Sequence, residues 1–194
     1  MTLNIALIGS GNISRAHLEA LKNTPSGRVV GLYDADPERS RRRAAEFGIA
    51  RVYQTQDDLL GDPDVQVVGV LVPPDLHARV AIDALEAGKH VVTEKPMAAT
   101  LAECDAMIAA GRRVGRRMLT VQNRIFNPAY EVARETIQSG AIGTVFLAQT
   151  DGFEGPDTVF RTTWLMSGRP GNGVLLAQAV HPAYALRWLL GEVD

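Results

Sequence analysis

Two short stretches of the sequence combine residue types able to do chemistry together: "GSGNIS", residues 9–14, and "HVVTEKPM", residues 90–97. In the first, Gly9 and Gly11 let the backbone turn sharply and approach a pyrophosphate. The phosphate charge then meets helix N-terminal amides, with Ser10, Asn12 and Ile13 completing the turn. Ser14 stands where the third glycine of the dinucleotide fingerprint belongs. Asp34, 20 residues past Ser14, ends the second apolar run and is placed to accept hydrogen bonds from a ribose 2′-hydroxyl. It would repel a 2′-phosphate, which favours NAD over NADP. Arg39, Arg41, Arg42 and Arg43 argue weakly the other way, since nearby arginines hold such a phosphate, so NADP stays possible. The plainer account is an ordinary strand–helix turn with a terminal aspartate cap.

In the second stretch Val91 and Val92 read as a buried strand, and Glu94 and Lys95 follow side by side before Pro96. A lysine at the carboxyl tip of a parallel strand points into a cofactor crevice. Desolvation and a nicotinamide cation would both lower its pKa, making it a tunable donor or acid. The plainer account is a lysine that reaches water and pairs with Glu94; composition does not separate the two. In "PPDLH" (73–77), the prolines shape a loop at the carboxyl end of the sheet. Pro73 and His77 are therefore candidates for the cofactor site, although His77 also suits a helix N-terminus. His17 and His90 read as structural. No histidines and carboxylates have metal-ligand spacing, so no metal is expected.

The elements that must position these residues alternate. Asn4–Ile8, Val29–Tyr33, residues 65–72, "HVVTE" and "RMLTVQN" read as strands, and helices are expected at about 13–22, from Asp36 to Gly48, at 78–87 and behind Thr100. Asp36-Pro37 and the Thr100/Glu103 spacing are helix starts. Regular alternation predicts a doubly wound α/β parallel sheet covered on both faces. After residue 123 the style changes. Asn127-Pro128 opens a helix to about Ser139, residues 142–150 read as a strand, a Gly/Pro-rich loop spans 168–173, and 174–190 is amphipathic. Domains are expected at 1–123 and 124–194, the boundary lying near 123–126. The strand at 142–150 has no partner in sequence.

Apolar residues make up 46% of the 194, and charged residues of mixed sign 22%, enough to build a core and to argue against disorder. A net charge of -2 gives no reason to expect nucleic acid or a membrane surface as partner. A single cysteine, Cys104, no basic leader and no apolar run of ~20 residues fit a cytoplasmic protein.

Taken in order, "GSGNIS", Asp34, "PPDLHARVAIDALEAGKHVVTEKPMA", "NRIFNPAY", "GAIGTV" and "GNGVLLAQAVH…RWLLGE" resemble the glucose–fructose oxidoreductase/inositol dehydrogenase/rhizopine-catabolism (Gfo/Idh/MocA) family. The "AGKHV…EKP" segment is the most specific part. The resemblance implies a Rossmann domain that binds NAD or NADP. It also implies an α+β domain, an open and mostly antiparallel sheet in relatives, that carries the substrate and the interface of a dimer or tetramer. By the same resemblance Lys95 is the catalytic lysine, Glu94, Pro96 and Asn123 belong to the cofactor site, and the Lys95–Pro96 bond is cis. Relatives continue past the equivalent of Asp194, so the chain is expected to be the front part of a longer protein, its substrate domain incomplete.

The pattern breaks after the glycines. Many relatives carry an aspartate and, four residues later, a histidine, on one helical face. Here His181 is present, the aspartate position is Ala177, and a further aspartate position is Tyr184. Pro182 is expected to interrupt a helix through this point. What survives is a two-residue mechanism on a secondary alcohol. His181, an imidazole with an ordinary pKa of ~6.5, takes the proton, and Lys95 stabilises the same oxygen as charge develops. Gln178 and Tyr184 are candidate substitutes for the carboxylate, and Arg124 is a candidate substrate contact. The leading expectation is an NAD(P)-dependent dehydrogenase of a sugar, inositol or other polyol. The alternatives are a glycosidase or lyase using transient oxidation by NAD, and a non-catalytic nucleotide-binding regulator.

Overall fold

Along the first strand, β1 (Leu3–Ile8), Ile5 and Leu7 alternate with Ala6 and Ile8, and the two sets enter different cores. Period-two alternation sends successive side chains to opposite faces of a sheet, so apolar residues at every position require cover on both sides. The computed structural model describes residues 2–150, 168, 173 and 175–192. It divides into two compact units, Met1–Thr120 and Val121–Asp194.

The first unit runs β1, α1 (Asn12–Lys22), β2 (Gly27–Tyr33), α2 (Pro37–Phe47), α3 (Gln56–Gly61), β3 (Val67–Val70), α4 (Pro74–Glu86), β4 (His90–Thr93), α5 (Leu101–Val114) and β5 (Met118–Thr120). All strand pairs are parallel, in the order β2-β1-β3-β4-β5. Ala6 and Ile8 pack with Leu59 of α3, Ala81, Ala84 and Leu85 of α4, and Met107 and Ala110 of α5. Leu7 packs on the other face with Leu18 of α1, Leu32 of β2 and Ala44 of α2. Burying a Leu or Met side chain this completely contributes about 1.5–3 kcal/mol each. The expected doubly wound sheet is the one observed.

Register matters most for function. Tyr33, Ile8, Val70, Thr93 and Thr120 lie on one rung across all five strands. The next residues therefore emerge together at the carboxyl edge: Gly9, Asp34, Leu71 and Glu94. Backbone bonds from Gly9 N to Tyr33 O (2.8 Å), Leu71 N to Ile8 O (2.8 Å) and Glu94 N to Val70 O (3.0 Å) extend the ladder one step into this edge.

The helix starts follow their caps. The Asp36 carboxylate accepts from Glu38 N, with Pro37 in the first turn, and Gly48 closes α2 at φ +68°. Thr100 and Glu103 form the expected reciprocal cap on α5. Two helices depart from expectation. The α4 helix begins at Pro74 rather than Ala78, because Pro at the first turn loses no needed N–H. The short α3 was not anticipated; its signal is the Thr55/Asp58 capping pair.

The second unit contains a 3₁₀ turn (Asn123–Phe126), α6 (Pro128–Gln138), a π-helical turn (Leu175–Ala179) and α7 (Val180–Leu190). Asn127 caps α6 by accepting from Ala129 N at 3.0 Å. The strand expected at 142–150 is a correction: among the described residues it pairs with no other strand. Phe146 (95% exposed) and Leu147 (74%) point to solvent there. A strand exists through its ladder, and apolar composition alone does not supply one. Most of the 168–173 loop lies outside the described residues. Pro182 does not end the helical run as expected. The π-helical turn leads directly into α7, with Pro182 as its third residue. The wider turn relieves the clash a proline makes with the preceding turn.

Candidate functional site at the carboxyl edge of the sheet

The glycine turn is built for close approach. Gly9 has φ +105°, and a Cβ there would lie 2.6 Å from the Leu71 carbonyl oxygen. Gly11, at the N-cap of α1, faces open space. No side chain caps α1, and the Ser14 amide donates to Gly11 O at 3.2 Å, so the amides of Asn12 and Ile13 are the ones an external anion would meet. Ser14, at the third glycine position, is fully buried, and its hydroxyl donates to Gly11 O at 2.7 Å. Serine there closes the turn upon itself.

Asp34 stands beside this turn. Its carboxylate accepts from Ser10 N at 2.6 Å and from Asp36 N at 2.9 Å. A carboxylate has about four acceptor positions, so two bonds leave room for a ribose hydroxyl. Of the arginines of α2, Arg39 pairs with Asp36 (3.1 Å) and Arg41 with Glu38 (2.6 Å), while Arg43 pairs with Glu46 (2.6 Å) and reaches the glycine turn itself at Gly11 O (3.2 Å). The donor set fits a dinucleotide: an uncapped helix start, a glycine cradle, and a carboxylate one residue past the adjacent strand.

At the tips of β3 and β4, Pro73 precedes α4, and His77 lies in its first turn, 1% exposed. Nδ1 of His77 is 2.8 Å from Pro96 O, and Nε2 is 2.8 Å from Val72 O. A neutral ring donates to only one of these carbonyls. Burial pushes His77 below the ordinary histidine range, while the two carbonyls and the Glu94 charge pull the other way. With both nitrogens facing backbone, His77 has nothing to offer a nucleotide directly.

Glu94 is 9% exposed. Its Oε1 is 2.7 Å from His17 Nε2, and its Oε2 accepts from Lys95 N at 3.1 Å. Burial works to raise the Glu94 carboxyl. The hydrogen bond and charge of His17, with the Lys95 amide and charge, outweigh that and hold it below its ordinary value. His17 reads as structural from sequence alone. The available signal was its place one helical turn past Ile13, on the helix that begins at the glycine turn. The Lys95–Pro96 bond is cis, as expected from the resemblance.

The structure thus brings Gly9 to Ile13, Asp34, Pro73, Glu94, Lys95 and Pro96 to one edge of the first unit. The other candidates belong to the second unit. Asn123 and Arg124 are exposed in the 3₁₀ turn, and Gln178 is half-buried in the π-helical turn beside buried Ala177. On α7, His181 is 7% exposed and Tyr184 38%. Among the described residues no group of His, Cys, Asp and Glu could hold a metal ion. No described helix is long and apolar enough to cross a membrane.

Comparison with known proteins agrees with this geometry. Residues 3–122 match the model of an oxidoreductase family with an NAD-binding Rossmann fold, and residues 130–194 match the GFO/IDH/MocA C-terminal domain. The chain is 32% identical to inositol 2-dehydrogenase 2 of Saccharopolyspora erythraea over 99% of its own length and 55% of the relative's. It is 33% identical to 1,5-anhydro-D-fructose reductase of Ensifer adhaerens, over 96% of this chain and 56% of that one. A solved levoglucosan dehydrogenase, in complex with NADH and levoglucosan, superposes with a TM-score of 0.85 at 31% identity, over 99% and 55% of the two chains. The chain spans about half the length of the curated relatives it matches. Two consecutive domain matches in family order, over the residues that build the glycine turn and the lysine tip, show that the chain belongs to the Gfo/Idh/MocA oxidoreductase family.

Proposed function

We propose that the protein is an NAD-dependent dehydrogenase acting on a secondary alcohol of a sugar, inositol or related polyol. One observation carries the reading: Lys95 follows Glu94 at the same carboxyl edge as the uncapped glycine turn and Asp34. Ligands of open α/β sheets bind at this edge, where the strand order reverses. NAD, when bound, accepts the hydride. The remaining work falls to side chains. Gly9 and Gly11 admit the pyrophosphate, and the first amides of α1 meet its charge. Asp34 accepts from the ribose. The Lys95 amine donates to the substrate oxygen and stabilises it as charge develops, and His181 takes the proton. Asn123 borders the nucleotide, and Arg124, Gln178 and Tyr184 bear on substrate choice. The names of the relatives, inositol, anhydrofructose and levoglucosan enzymes, support a polyhydroxylated substrate.

The test is NAD reduction with a panel of polyols on the native-length protein. Lys95→Ala and His181→Ala should each lower kcat/KM by about 10²–10⁴-fold, the range for removing a positioned acid or base. Unchanged turnover in Lys95→Ala removes the mechanism. A second reading, a non-catalytic nucleotide-binding regulator, is favoured by Ala177, a buried methyl one turn before His181. Tight NAD binding with no turnover across the panel would select it.

A further inference from the structure

We propose that His17 and His77 are positioning residues that brace Lys95 from both sides, His17 through the Glu94 carboxylate and His77 through the Pro96 carbonyl. Beyond Glu94 N the sheet ladder ends, and residues 94–100 belong to no regular element. A lysine on such a segment has a defined place only if side chains supply the bonds the ladder no longer does. Two sets of bonds do so. On the amino side, the His17 ring meets Glu94 Oε1 at 2.7 Å, and Glu94 Oε2 takes the Lys95 amide at 3.1 Å. On the carboxyl side, His77 Nδ1 meets Pro96 O at 2.8 Å. In the tautomer that donates from Nδ1 to Pro96 O, the unprotonated Nε2 only packs against Val72 O at 2.8 Å, so the brace on this side is the single bond to Pro96.

The origins of the two rings give the brace its purpose. His17 comes from α1, the helix that starts at the glycine turn, and His77 comes from α4, which starts at the adjacent tip. The lysine backbone is therefore tied to the element that meets the nucleotide phosphates through one carboxylate. The polar atoms are well shielded: His77 is 1% exposed, and the His17 and Glu94 side chains are 19% and 12% exposed. Buried polar and ionic contacts add little net stability compared with apolar packing of the same volume. What they supply here is direction, which apolar contacts lack. Neither histidine touches substrate; each acts through its partner.

The kinetic part of the test rests on the dehydrogenase reading, and the spectroscopic part does not. The sequence has only two other lysines, Lys22 and Lys89, so reductive methylation with carbon-13 formaldehyde gives few amine resonances, and Lys95→Arg assigns the one of interest. In the 194-residue chain, His17→Leu and His77→Leu should shift and broaden the Lys95 resonance while Lys22 and Lys89 stay in place. His17→Gln, whose amide reaches the position of the lost Nε2, should restore it. His77→Asn reaches the position of Nδ1 and should restore it, whereas His77→Gln, which reaches Nε2, should not. Should the leucine variants fail to fold by circular dichroism, the Asn and Gln pair at position 77 still decides. A Lys95 resonance identical in folded leucine variants, or identical in His77→Asn and His77→Gln, overturns the brace. In the native-length protein, His77→Gln should lower kcat by up to about 10²-fold, the cost of an ångström-scale misplacement, with NAD affinity unchanged. If Lys95→Ala leaves turnover intact, the dehydrogenase reading fails, and the resonance test still judges the brace.

Discussion

Asp34 and Glu94 show how much a single carboxylate can settle. Asp34 holds the glycine turn through Ser10 N and keeps acceptor capacity for a ribose. Losing a hydrogen bond to a charged group costs about 1.5–3 kcal/mol, so Asp34→Ala should weaken NAD binding by roughly ten- to a hundredfold. NADP should lose less, since the repulsion of its 2′-phosphate goes as well. Titration calorimetry with both nucleotides checks this; equal losses for the two would contradict the role. Glu94 makes a pH prediction. Its folded pKa lies below the ordinary 4.5, so the folded state keeps the charge longer than the unfolded chain. Its contribution is present above that ordinary value and is lost as pH falls through the folded one. Glu94→Gln should therefore show a smaller drop in urea midpoint between pH 5.5 and pH 3.5 than the parent protein. An equal drop would place the acid sensitivity elsewhere.

At the level of elements, the glycine turn is the least forgiving. A methyl at Gly9 meets the Leu71 carbonyl and a φ of +105°. Gly9→Ala should destabilise the fold by about 1–3 kcal/mol through backbone strain and abolish NAD binding, measured by urea titration and calorimetry. Normal stability with normal binding would refute the account of the turn. What was legible in sequence followed local physics. Strands buried on both faces read as apolar runs, Asp36 and Thr100 announced their helices, and Gly48 and Gly115 closed theirs in the left-handed region. The cis bond at Lys95–Pro96 came from the family resemblance rather than from composition. Less legible was anything set by long-range contact. His17 and Glu94 are 77 residues apart, and no local pattern joins them. His77 looked like a helix-start residue available to a ligand until Pro96 and Val72 closed on its ring. The 142–150 segment had strand composition, but composition does not carry a partner, and the described residues provide none.

For the molecule as a whole, the chain holds a parallel sheet whose carboxyl edge collects Gly9 to Ile13, Asp34, Pro73 and Glu94 to Pro96, whereas the cofactor candidate Asn123 lies in the second unit. Its second unit holds the helices that carry the substrate candidates. That unit leaves a trough of about 570 Å³ open between α6, residues 143–148 and α7, with Arg134 stacked on Trp188 at 4.3 Å. Phe146, Leu147 and Leu190 are exposed in or beside it. The relatives are nearly twice as long as this chain. In the first unit the glycine turn and Lys95 share one edge. A crystal structure with NAD bound tests this arrangement directly. The expected complex has the pyrophosphate on the first amides of α1, the ribose on Asp34, and the Lys95 amine beside the nicotinamide. A nucleotide bound away from that edge, or a Lys95 amine directed away from the nicotinamide, would contradict it.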